Sequence, residues 1–150
     1  MRDINLAVWH CSADREGSYE GKDLAYYDRL HKNRKPPFRK IGYHILIFED
    51  GHWEIGRKIY ESGAHARGYN RNSLGIMYQG GLDQEGNPKD TRTPAQRRTC
   101  KEIKQMLDFI YPGIDHVGHR DLSVDLNGDG VVSRGEWMKS CPCFDVKTEL

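Results

Sequence analysis

The chain has 150 residues, 37% of them apolar and 30% charged, and its 23 basic and 22 acidic side chains leave a formal net charge of +1. That length suits one domain, expected to span 1–150, with a modest core and a cleft. The charge balance supplies no field to hold nucleic acid or an anionic bilayer, and a mean hydropathy of −0.81 leaves no membrane-spanning segment, so a soluble monomer without nucleic-acid or membrane partners is expected.

Met1 to Leu6 runs straight into an apolar stretch too short for a signal-peptide core and with no small-residue cleavage site, so the expectation is no signal peptide and synthesis in the cytoplasm. Asn5 to Trp9 reads as a buried strand that delivers His10 to a sheet edge. From Asp23 to Asn33, Leu24, Tyr27 and Leu30 recur at three-residue steps, which predicts a short surface helix stopped by Pro36-Pro37. Tyr43 to Phe48 and Trp53 to Ile55 flank Asp50-Gly51, the signal of a two-residue hairpin. Ser62 to Asn72 has no period and reads as a loop feeding a strand at Leu74 to Tyr78. Thr93-Pro94-Ala95-Gln96 combines an N-cap, a first-position proline and a capping-box glutamine, so a helix starts there. Its apolar face is Ile103, Met106, Leu107 and Ile110, with Cys100 packing on the same side, and Pro112-Gly113 ends it. Ile114 to Gly118 is a last short strand opening onto His119. The fold class is α/β, a central mixed β-sheet packed by helices.

Seven histidines and four cysteines are available, and the cysteines read as thiols or metal ligands rather than disulfides. His10 and His119 stand at predicted strand ends, where side chains distant in sequence converge at one rim, and Cys141 lies beyond His119 in a loop pinned by Pro142. Two imidazoles and a thiolate leave the fourth tetrahedral position for water, the layout of a catalytic zinc site. Spacing alone leaves the alternative open that these are ordinary polar and core residues.

Six motifs then occur in order: Val8-Trp9-His10-Cys11-Ser12-Ala13; Gly42-Tyr43-His44; the stretch from Ala64 to Gly75; Thr93-Pro94-Ala95-Gln96; Gly118-His119-Arg120-Asp121; and Lys139-Ser140-Cys141-Pro142-Cys143-Phe144-Asp145. Together they resemble the zinc-dependent N-acetylmuramoyl-L-alanine amidases of the phage lysozyme type, relatives of the animal peptidoglycan recognition proteins, over nearly the whole chain. The resemblance implies a mixed sheet with zinc in a surface groove, peptidoglycan as partner, and hydrolysis of the amide between N-acetylmuramic acid and L-alanine. It places the zinc ligands on His10, His119 and Cys141, with Cys143 as the alternative thiol. Its activity-linked tyrosine and lysine fall on Tyr43 and Lys139, and His65 and Asn70 fall in the substrate groove. A peptidoglycan-binding module without catalysis is the alternative. With no signal peptide, action on the wall is expected after phage-type release or specialised secretion. Cys11 is expected to pack on the side of its strand away from His10, and His44 to face away from Tyr43. His31, His52 and His116 read as solvated.

Between His119 and Cys141 the chain departs from the shorter family linker. Asp125 to Glu136 resembles the twelve-residue calcium loop of an EF-hand, with Asp125, Asn127 and Asp129 at positions one, three and five, Gly130 at six, the Val131 carbonyl at seven and Glu136 at twelve. A structural calcium is the expectation; the other reading is a Ser133–Glu136 capping box on a solvated turn.

Overall fold

The computed structural model describes residues 1–150. Seven strands form: β1 (Leu6–Cys11), β2 (Asp14–Arg15), β3 (Ile45–Ile47), β4 (Trp53–Ile55), β5 (Ser73–Tyr78), β6 (Gly81–Leu82) and β7 (Asp115–Gly118). Three α-helices accompany them: α1 (Leu24–Lys32), α2 (Pro94–Ile110) and α3 (Val146–Glu149). The main sheet has the order β4-β3-β5-β1-β7 and is parallel except for β4, while β2 and β6 make a separate two-stranded ladder. An α/β fold with a mixed sheet and packed helices is therefore what forms.

The strands alternate their side chains between two layers, as a pleat requires. Ala7 and Trp9 of β1, Ile45 and Ile47 of β3, and Leu74, Ile76 and Tyr78 of β5 meet Cys100, Ile103 and Leu107 of α2 in the larger core. On the other side Leu46 and Met77 pack with Tyr27 of α1, and Val8 packs with Ala66 and Val117. His10 belongs to this second face.

Helix α2 begins at the capping box: Gln96 N–H donates to Thr93 Oγ1 at 3.1 Å and Thr93 N–H donates to Gln96 Oε1 at 2.9 Å. Such a cap contributes about 1 kcal/mol. Two expected helix-face residues are exposed: Leu30 lies on the outer side of the last turn of α1, and Ile110 ends α2 beyond the core. The β3–β4 hairpin also differs from the two-residue expectation. Phe48 N–H donates to His52 O, so three residues, Glu49 to Gly51, form the loop, with Gly51 at φ +88°. That is the geometry of a type I turn followed by a left-handed residue.

The sheet decides where a site can form. Both β1 and β7 run in the same direction and are hydrogen-bonded, with Trp9 opposite Gly118. The next residue of each strand, His10 and His119, therefore emerges at the same carboxyl edge, where ligands of open parallel sheets bind.

Candidate metal centre

One ligand atom from each of His10, His119 and Cys141 lies within 4.8 Å of the other two, the one such group of three or more His, Cys, Asp or Glu side chains in the chain. The His10 and His119 rings are 4.6 Å apart between centroids, and His10 Nδ1 is 3.8 Å from Cys141 Sγ. Zinc bonds of about 2.1 Å to nitrogen and 2.3 Å to sulfur at a tetrahedral angle place those two donors about 3.6 Å apart, so the residues present fit that ion.

Cys141 reaches the sheet edge because its turn is anchored on several sides. Arg120 N–H donates to Cys141 O at 2.8 Å, and the Tyr78 hydroxyl donates to Pro142 O at 2.7 Å. A Cβ on Gly118 would stand 2.7 Å from Pro142 Cδ, so only glycine lets the Cys141–Pro142 turn close on β7. Downstream, Phe144 is buried beneath the Arg92 guanidinium at 3.3 Å, and Arg92 pairs with Asp90 and Glu149. The cysteine pair is also resolved in space. Cys143 Sγ donates to Gly81 O at 3.3 Å, outside the group, so Cys141 is the thiol that converges with the histidines.

Cys11 packs in the larger core, on the face away from His10, and also touches the site. Its N–H donates to Cys141 Sγ at 3.3 Å, and its thiol hydrogen-bonds the same sulfur, which pushes the Cys11 pKa up and keeps it a protonated donor. Burial, followed by Lys139, lowers His119 to about 4; burial, followed by the neighbouring His65 and His119, lowers His10. Both imidazoles are thus neutral at pH 7, the form that ligates.

Sequence reading misses the support behind His10. His10 Nε2 lies 3.0 Å from His65 Nδ1, His65 Nε2 lies 3.2 Å from Ser73 Oγ, and Ser73 Oγ donates to Tyr69 O at 2.7 Å. With the His10 Nδ1 lone pair facing Cys141, these contacts form one donor chain that sets the His10 tautomer, the usual arrangement behind a metal-ligating histidine. His65 fits there because β5 has glycine at 75: a Cβ would come within 2.6 Å of the imidazole. Asn70 holds the loop, its Oδ1 accepting from the His65 and Ala66 N–H groups. The ordered Ala64–Gly75 motif was the available signal, but it does not say which way the His65 ring faces.

Tyr43 packs its ring 5.0 Å from His10 and 5.3 Å from His31, and burial, with Cys141 as the next cause, raises its pKa. A cleft of about 850 Å³ runs past the group, lined by His65, Asn70, His119 and Lys139 among others. His10, Cys141 and Tyr43 are not in its lining, so the group meets the cleft at His119 rather than lying open in a groove.

Of the other histidines, His52 is exposed as expected. His116 is not: it is 7% exposed, accepting from Trp9 Nε1 at 3.1 Å and pairing with Asp108 at 3.0 Å, because the buried indole needs an acceptor. His31 is half-buried and accepts from Gly42 N–H. His44 is fully buried, taking Gly75 N–H on Nδ1 and facing Glu61 O with Nε2.

The 125–136 stretch turns its oxygens inward. Asp125 accepts from the N–H groups of Gly128 and Gly130, Asn127 from Asp129, Asp129 from Val131, and Glu136 from Leu126, Asn127 and Ser133. A short 3-10 turn, Arg134–Glu136, follows Ser133, whose hydroxyl also donates to Glu136. The loop's acidic side chains do not form a group like that of His10, His119 and Cys141. Its ends are stitched to the site by the Arg120 guanidinium, 3.9 Å over the Trp137 ring, and by Met138 N–H donating to Ser123 Oγ.

Comparison with known proteins agrees with this geometry. Residues 1–143 match the family model described as N-acetylmuramoyl-L-alanine amidase. The chain is 46% identical over 97 residues to an uncharacterized protein of Haemophilus influenzae, covering 65% of this chain and 84% of that one. It is 31% identical over 148 residues to the endolysin of Escherichia phage T7, covering 98% of this chain and 86% of that one. Among solved structures it resembles the N-acetylmuramoyl-L-alanine amidase LysC of Clostridium intestinale, with a TM-score of 0.71, 26% identity, and coverage of 96% of this chain and 79% of that one. No helix is long and apolar enough to cross a membrane.

Proposed function

The chain belongs to the N-acetylmuramoyl-L-alanine amidase family, and from that premise we propose that it is a zinc hydrolase of bacterial peptidoglycan, cutting the amide between the lactyl carbonyl of N-acetylmuramic acid and the L-alanine of the stem peptide. The observation that carries this reading is the convergence of His10, His119 and Cys141 at the carboxyl edge of the sheet. Zinc held there would bring the pKa of water towards ~7 and act as a Lewis acid on the amide carbonyl.

The chain's own residues have distinct tasks. His65 orients His10 through the donor chain to Ser73. Lys139, exposed on the cleft beside His119, presents an ammonium to the oxygen that gains charge as the amide is attacked. Its hydrogen bond strengthens as that charge grows, an effect of about 3 kcal/mol for one such donor. The Tyr43 hydroxyl, held as the neutral phenol, is the second donor. Asn70 and the exposed edge of His65 contact the glycan or peptide in the cleft. A binding module without catalysis is the rival reading, and the complete donor set with Lys139 alongside it favours the enzyme.

The test is digestion of purified peptidoglycan by the zinc-loaded protein, read by mass spectrometry. Free stem peptides, lost on chelation, are expected. Release of sugar fragments alone, or no release with or without chelator, overturns the proposal.

The Asp125–Glu136 stretch is proposed to take a structural calcium through Asp125, Asn127, Asp129, the Val131 carbonyl and Glu136, which would order the approach to Lys139 and Cys141. Supporting this are the EF-hand-like spacing and the inward-turned oxygens. Calorimetry of the zinc-loaded protein is expected to show calcium uptake that Glu136→Gln removes; no uptake at millimolar calcium refutes it.

A further inference from the structure

The two histidines of the metal group are held in different ways. His10 sits on β1, between β5 and β7, and its ring has His65 behind it. His119 follows β7, the edge strand of the sheet, and its ring packs on His10 near Lys139 without a hydrogen-bond partner of its own. Its direction therefore depends on the backbone that carries it, a 3-10 turn at His119–Leu122.

That backbone enters the turn through the least restrained kind of residue. Gly118 is needed for space, because a Cβ there would stand 2.7 Å from Pro142 Cδ and 3.1 Å from Asp121 Oδ2. Its backbone, at φ −77° and ψ 155°, is one that any residue adopts. The close approach that brings the cysteine turn onto β7 thus removes, one residue before the ligand, the Cβ that ordinarily narrows φ and ψ. Asp121 supplies the missing restraint from the other side of the ligand. Its Oδ2 accepts from Gly118 N–H at 2.7 Å, a bond that bridges His119. The same turn is tied to the third ligand, since Arg120 N–H donates to Cys141 O at 2.8 Å, and it is closed by Ser123 N–H donating to Arg120 O at 3.1 Å.

We propose that Asp121 is a positioning residue for the metal centre: by holding Gly118 N–H across His119, it fixes that imidazole where it can share one ion with His10 and Cys141. The inference rests on the zinc site of the amidase reading and adds to it a residue that is neither a member of the ligand group nor part of the cleft lining. His65 supports His10 through its ring, whereas Asp121 supports His119 through its main chain. The task needs an acceptor oxygen rather than a charge, so asparagine can perform it and alanine cannot.

The experiment measures zinc affinity of the full chain by competition with a chelator, alongside unfolding in urea. D121A should weaken zinc by roughly tenfold, the low end of the loss for a residue that supports a ligand, and D121N should restore the affinity of the natural chain. D23A is the control: Asp23 caps α1 by the same chemistry, accepting from Tyr26 N–H at 2.8 Å, but carries no ligand. It should lower the urea midpoint and leave zinc affinity unchanged. With cobalt in place of zinc, the thiolate charge-transfer band should persist in D121A, because Tyr78 still anchors the cysteine turn through Pro142 O. The visible bands that report coordination geometry should shift in D121A and not in D121N. Zinc binding by D121A equal to that of the natural chain, an equal loss in D23A, or a D121N variant as weak as D121A overturns the proposal. A natural chain that cuts no peptidoglycan, while D121A alone weakens zinc, would support it and refute the amidase reading instead.

Discussion

His10 and Glu136 are both residues that the amino-acid sequence offers as metal ligands, yet they sit in opposite physical settings. His10 is on a strand hydrogen-bonded to parallel neighbours on both sides, is 1% exposed, and has His65 behind it. Glu136 closes a stretch in which no residue from His119 to Cys141 is buried, and Val124, Leu126, Val131 and Met138 expose most of their apolar surface. In the first region tertiary packing pays the entropy of ordering the ligands before any ion arrives. In the second, order comes from local amide-to-carboxylate hydrogen bonds and two stitches at the ends, so it belongs to the low-stability end of the molecule. A preorganised site and a loop that an ion would organise are thus joined by the few residues that follow His119 and the few that precede Cys141.

The largest effect tests the preorganised side directly. Cys141→Ser replaces a thiolate with a neutral hydroxyl while Arg120 and Tyr78 still hold the turn. Activity should fall by more than ~100-fold, beyond the loss typical for a residue behind the ligands, with zinc content falling in parallel by elemental analysis. Retention of zinc and activity would mean that the three donors do not act as one site. Next is Arg92→Leu. Its side chain is 1% exposed, and its loss leaves Asp90 and Glu149 with Arg97 as their one cationic partner and uncovers Phe144, just beyond the cysteine turn. Losing the charge-assisted hydrogen bonds of Arg92 from this partly exposed network costs about 2 kcal/mol, read as a lower midpoint in urea. A change within experimental error would show that the segment after Cys141 is anchored by something other than this network.

His65→Ala comes third and separates orientation from ligation. It leaves all three ligands and cuts the donor chain to Ser73, so zinc affinity should weaken by roughly 10–100-fold, measured by competition with a chelator. If affinity holds and only KM rises, His65 serves the substrate and not His10.

How much of this is legible in the amino-acid sequence follows from the range of the interactions involved. The strand carrying His10 and the start of α2 depend on neighbours within a few residues, an apolar run in one case and Thr93 with Gln96 in the other, and both formed where expected. The metal group spans 131 residues, and spacing left it open; only six motifs in order made it readable. The side chain of His65 was opaque because its direction depends on Gly75 and Ser73, in another element. His116 reads as solvated yet is buried, because its burial depends on one indole N–H 107 residues away. The loop length at Gly51 was off by one residue, since Asp-Gly suits both a two-residue turn and the last two positions of a three-residue one.

The smallest effect concerns the stitch between the two regions, and it has a sign as well as a size. Trp137 stacks on Arg120, but its buried Nε1 has no hydrogen-bond partner, and neither has Arg120 Nε. Trp137→Ala loses the stack and should destabilise by about 1 kcal/mol. Trp137→Phe keeps a ring over the guanidinium, with a weaker cation–π contact, and removes a buried donor whose desolvation is uncompensated, so the two changes oppose each other and the net should fall within about 0.5 kcal/mol of zero. Zinc affinity should be the same in both variants and in the natural chain, because His10 and His119 are placed by β1 and β7 and the Cys141 turn is anchored by Arg120 N–H, Tyr78 and Gly118. Should Trp137→Ala weaken zinc as much as His65→Ala does, the distinction between a preorganised centre and an appended loop would fail, and the loop would have to be counted as part of the centre's own scaffold.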